Sequence, residues 1–66
     1  TNTEDLLKFE CLFVSFLGNM LLIGDNSISI LRLLQNKDPK REIFAHEVKL
    51  LVNRINENKE IISRMR

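Results

Sequence analysis

The sequence predicts an all-α module of three helices that intertwine into an oligomer, and three features carry that expectation. Gly and Pro, the main punctuation of β hairpins, number only two and one in 66 residues. Leu, Ile, Lys, Glu, Asn and Arg dominate, and most of these are at home in helix interiors. Hydrophobic residues make up 44% of the chain, more apolar helix surface than one small domain can bury alone.

The first helix is expected over residues 4–23. Thr3 is the candidate N-cap, with Glu4 and Asp5 where the helix dipole favours negative charge. Gly24, followed by Asp25 and Asn26, reads as a C-terminal stop. Leu6, Phe9, Phe13, Phe16, Met20 and Ile23 recur at three- and four-residue steps. Leu7, Cys11, Val14 and Leu21 form a second stripe, and Leu12, Leu17 and Leu22 fill more of the circumference. A helix apolar nearly all round needs burial nearly all round, which places it at the centre of an assembly.

A short second helix is expected over 27–36, capped by Asp25, Asn26 or Ser27, with Ile28, Ile30, Leu31, Leu33 and Leu34 as its apolar residues. Asn36-Lys37-Asp38 forms the next break. Asp38 before Pro39 pairs a good N-cap with the residue favoured at the first helical position, so a third helix is expected over 39–66. Uninterrupted, it would reach about 42 Å, outlast the first helix and project its last turns beyond the others. Glu60 and Arg64 stand at the favourable i,i+4 spacing.

The third helix carries a heptad-like stripe: Phe44, Val48, Leu51, Ile55, Asn58, Ile62 and Met65. β-branched residues at a with Leu at d resemble a two-stranded coiled coil. Asn58 interrupts the seam, either as a polar device that fixes register or as a residue facing solvent at a packing gap. The candidate oligomer interface is therefore Phe9, Phe13, Phe16 and Met20 on the first helix, with Phe44, Val48, Leu51, Ile55, Asn58, Ile62 and Met65 on the third.

At this length stability usually needs a disulfide, a structural metal or oligomerisation. Cys11 is the only cysteine and His46 the only histidine, so no intrachain disulfide is possible and no metal-type pair of Cys or His exists. Cys11, among Phe9, Leu12, Phe13 and Val14, reads as a buried, inert core residue. His46, with Glu42 one turn before it, reads as a surface side chain. The two glycines stand alone, and Gly18, with Cys11 and Ser15, reads as a close-packing point rather than part of a phosphate loop. No catalytic constellation, cofactor site or metal site is expected, and the module is not expected to be an enzyme.

The formal net charge is +1. Lys8 and Arg32 face four acids in the first 36 residues, whereas eight Lys and Arg face five acids in the rest. Those acids interleave with the bases, so direct nucleic-acid binding is not expected. The strongly apolar run Cys11–Ile23 would rise roughly 20 Å as a helix, short of the ~30 Å hydrocarbon core, so no membrane role is expected. A chain opening on Thr-Asn-Thr rather than Met reads as a segment excised from a larger protein.

A very apolar first helix, a short second and a long third, with stretches such as FECLFVSFLGNMLLIGDNS and FAHEVKLLVNRINENKEI, resemble the C-terminal tetramerisation module of the telomere-associated Rif family. The resemblance covers the whole chain but no signature motif, so no individual functional residue carries over. It implies a homodimer or homotetramer in an intracellular, nuclear setting, letting a long parent protein bridge an array of DNA-bound partners through avidity. Two other readings remain open at this level: a hetero-association module built from the same surface, and a small helical nucleic-acid binder.

Overall fold

The computed structural model describes residues 1–66 as two antiparallel helices, α1 (Asn2–Gln35) and α2 (Arg41–Met65), joined by a five-residue connection. The hairpin is a rod of 56 × 14 × 12 Å. The all-helical class holds, but the expected division into three helices is overturned.

The first helix begins at a capping box rather than at Thr3. The Thr1 side chain accepts from the Glu4 amide at 3.2 Å, and the Glu4 carboxylate turns back to the Thr1 amine. The expected stop at Gly24 does not occur: α1 continues unbroken for 34 residues, and Gly24 does not leave negative φ. A helical glycine costs only about 1 kcal/mol relative to alanine, and tertiary contacts outweigh that cost here. The two best candidate caps are also engaged elsewhere. Ser27 Oγ donates back to the Ile23 carbonyl at 2.8 Å, and the Asn26 side chain is tied to α2. The expected second helix, 27–36, is therefore the last part of α1.

α2 starts at Arg41, after Lys40, with no side-chain cap; Asp38 and Pro39 lie in the connection rather than at a helix start. At 25 residues α2 is the shorter helix. It ends alongside Asp5, Lys8, Phe9 and Leu12, so the expected projection from Ile55 to Met65 does not exist. Glu60 and Arg64 form no ion pair, since the only one in the chain joins the Thr1 amine to Glu4.

The two helices meet along a strict three–four seam. On α1 it consists of Leu12, Phe16, Asn19, Ile23, Asn26, Ile30 and Leu33; on α2, of Phe44, Glu47, Leu51, Arg54, Asn58, Ile61 and Met65. Every one of these residues is buried or half-buried. Only four residues in the chain are fully buried, and three of them are Asn19, Asn26 and Asn58; Ile61 is the fourth. The most deeply buried positions are thus mainly polar, the nine apolar seam residues are half-buried apart from Ile61, and fifteen large hydrophobic side chains are exposed.

Candidate association surface

The polar seam is built from two hydrogen-bonded layers. In the first, Asn19 Nδ2 donates to Asn58 Oδ1 at 2.8 Å and to the Arg54 carbonyl at 2.7 Å. In the second, Asn26 Nδ2 donates to Glu47 Oε2 at 2.9 Å, and its Oδ1 accepts from Arg54 Nη1. The Arg54 guanidinium also reaches across to the Leu22 carbonyl at 3.0 Å. No buried side-chain polar atom is left without a partner. Satisfied networks of this kind cost stability relative to apolar packing, yet they penalise any slip that would leave an amide facing hydrocarbon.

Asn58 therefore does not face solvent at a packing gap; it is buried against Asn19. The predicted stripe of α2 coincides with the intrachain seam only at Phe44, Leu51, Asn58 and Met65. Glu47, Arg54 and Ile61 face α1, while Val48, Ile55 and Ile62 stand one position further round. That offset gives the predicted interface residues a different location. Phe44, Leu51, Asn58 and Met65 belong to the hairpin seam, and at the seam's edge Phe16 and Ile23 join Met20 of α1 and Ile55 and Ile62 of α2 in lining an apolar groove on one side of the hairpin. Asn58 and Lys59 are its only polar lining residues.

The groove is extended along α1 by Phe9 and Phe13, which are exposed. Phe9 stacks on Phe13 with ring centroids 6.2 Å apart, and Phe13 on Phe16 at 6.4 Å. These three rings and Met20 form a continuous strip. The opposite side of α1 carries Cys11, Ser15 and Gly18. Cys11 is exposed rather than buried in a core, because that side of α1 meets nothing else in the chain. A Cβ added at Gly18 has nothing within 4 Å, so no helix of the same chain packs closely there. His46 is exposed, and no group of three or more His, Cys, Asp or Glu is placed to hold a metal.

Sequence reasoning missed Asn19, Asn26, Glu47 and Arg54. A signal existed: Asn19 and Asn26 stand seven residues apart in an otherwise apolar stretch, the spacing of one seam position repeated.

The length objection to a membrane role also needs correction. It assumed a helix ending at Ile23, but α1 is long and apolar enough to cross a membrane by length and composition. From Cys11 to Leu31 its only formal charge is Asp25.

The fold defines a helical hairpin with a polar seam and apolar outer faces. Compared with known protein families, curated proteins and solved structures, the chain matches none.

Proposed function

We propose that this chain is a self-association module, in which two hairpins pack groove against groove into a helical bundle that joins copies of a larger protein. The observation that carries the reading is the inverted distribution of polarity. Three asparagines take three of the four fully buried positions between the helices and are bonded there with Arg54 and Glu47, while fifteen large hydrophobic residues remain exposed.

The surface area gives a measure of the surplus. A compact monomer of 7.7 kDa has an accessible surface of about 4,300 Å². This chain exposes 5608 Å², roughly 1,300 Å² more than that scaling gives. A stable protein interface covers about 800 Å² per partner.

Sequence texture resembling the Rif tetramerisation module extends the proposal to a chromatin- or telomere-bound parent in the nucleus. With two helices in place of three, that extension is supported by the quoted stretches and not by helix layout. Sedimentation equilibrium tests the core of the reading. Self-association predicts a mass that is a multiple of 7.7 kDa at micromolar concentration. An orphan half of a hetero-complex would instead aggregate or lose helix when expressed alone.

Membrane insertion is the second reading, favoured by the length and apolarity of α1. Against it stand the bonds tying Asn19 and Asn26 to α2, a helix too rich in charge to enter hydrocarbon itself. Partition into lipid vesicles separates the two.

A further inference from the structure

Two margins flank the apolar groove, one on each helix. On α1 the margin is Glu10, Leu17, Gly24 and Leu31, each three or four residues from Phe13, Met20, Ser27 or Leu34. On α2 it is Ala45, Val52, Lys59 and Arg66, each three or four residues from Val48, Ile55 or Ile62. All eight are exposed, and each margin repeats every seven residues, so both run straight along the rod.

The seam bonds fix the relative heights of the two margins. Asn19 reaches Asn58 and the Arg54 carbonyl, and Asn26 reaches Glu47 and Arg54. Leu17 and Lys59 therefore stand at about the same height on the rod. Equal steps of seven in opposite directions bring Gly24 level with Val52, Leu31 level with Ala45, and Glu10 level with Arg66. These levels match in kind as well as in height: no side chain against a branched one, a large one against a small one, an acid against a base. Within one hairpin the groove separates the margins. Glu10 and Arg66 form no ion pair, and a Cβ at Gly24 would meet nothing within 4 Å.

We infer that the two hairpins pack with each α1 over the partner's α2, about a two-fold axis that runs along the rod. The inference rests on the self-association reading and assigns which residues meet across the groove. An axis along the rod leaves heights unchanged. Gly24 then receives the partner's Val52, Leu31 covers the partner's Ala45, and Glu10 pairs with the partner's Arg66. Leu17 lies along the aliphatic stem of the partner's Lys59, whose ammonium stays in water. Every helix runs antiparallel to both of its neighbours, as in an up-down bundle. The packing also accounts for Gly24: a mid-helix glycine weakens a helix, and nothing in its own chain requires one there. The other arrangement sets α1 on α1 and α2 on α2, about an axis across the rod. Asn19 stands midway along α1 and Lys59 near its height, so full overlap would set Lys59 against the partner's Lys59. Like charges so placed oppose association.

Oxidative cross-linking of the full chain in a Cys11→Ser background tests this, with copy number read by light scattering and helicity by circular dichroism. Two copies are expected before oxidation. Gly24→Cys combined with Val52→Cys is expected to give a covalent dimer, because the groove keeps the two positions of one chain beyond the roughly 7 Å between Cα atoms that a disulfide spans. Lys59→Cys alone is expected to give none. Glu10→Arg and Arg66→Glu are each expected to weaken pairing about fivefold, and the double reversal to restore it. A covalent dimer through Lys59→Cys, none through the paired variant, or no recovery in the double reversal overturns the arrangement; two copies in the same samples spare the groove reading. A helical monomer overturns both.

Discussion

Asn19 and Asn58 meet amide to amide at 2.8 Å, buried between two helices whose only fully buried apolar residue is Ile61. The second hydrogen of Asn19 Nδ2 is used by the Arg54 carbonyl at 2.7 Å, so the donor is fully employed. Asn19→Ala leaves Asn58 buried with an unpaired side chain and is expected to destabilise the fold by about 1–3 kcal/mol. Replacing both, Asn19→Leu with Asn58→Leu, is expected to match or exceed wild-type stability, since apolar pairs often replace buried polar pairs without loss. Urea denaturation measures both variants. An Asn19→Ala chain as stable as wild type would remove the polar layer from the account.

Arg54 links three groups: its carbonyl accepts from Asn19, and its guanidinium bonds the Leu22 carbonyl and Asn26. Arg54→Met keeps the aliphatic stem but strips the donors, and an expected loss of about 1–3 kcal/mol follows from the stranded Asn26 oxygen. Lys59→Ala, at an exposed position, is expected to stay within about 0.5 kcal/mol of wild type. Equal effects at the two positions in the same denaturation series would contradict the seam assignment.

Gly18 sits in mid-helix with open space where a Cβ would go. Gly18→Ala is therefore expected to raise stability by about 0.5–1 kcal/mol, from higher helix propensity and a less flexible unfolded chain. Thermal melting would read this as a higher midpoint. A lower midpoint would mean that another chain approaches Gly18 too closely to admit a methyl group.

Phe13 and Ile62 contribute to the groove side without lying in the hairpin seam. Phe13→Asp and Ile62→Asp each place a charge where a second hairpin is proposed to pack, so both are expected to abolish groove-mediated pairing and to retain partial helix. Leu51→Asp, within the seam itself, is expected to unfold the hairpin as well. Circular dichroism and light scattering on the same samples distinguish these outcomes. Loss of helix in Phe13→Asp equal to that in Leu51→Asp would merge two surfaces that the structure keeps apart.

Much of this was readable from residues alone, and what was missed has a specific physical origin. The scarcity of Gly and Pro announced helices, and the excess of Leu, Ile and Phe announced exposed apolar faces. Gly24-Asp25-Asn26-Ser27 misled because local stop signals and interior residues have the same composition when tertiary partners exist. Asn26 is held by Glu47 and Arg54, twenty or more residues away, and no local pattern encodes that. The seam of α2 misled in a similar way. Choosing the most apolar stripe selects Val48, Ile55 and Ile62, whereas the helices pair through Glu47, Arg54 and Ile61, one position earlier. Apolar periodicity found Phe44, Leu51, Asn58 and Met65, which do lie in the seam, but took the outward neighbours of Glu47, Arg54 and Ile61 for the rest, because two of those three inward residues are polar and hydrogen-bonded.

Sedimentation equilibrium of the intact chain across micromolar concentrations tests the central claim most directly. The account predicts a helical species whose mass is a multiple of 7.7 kDa and falls on dilution. A 7.7 kDa monomer that keeps its full helicity throughout would contradict it.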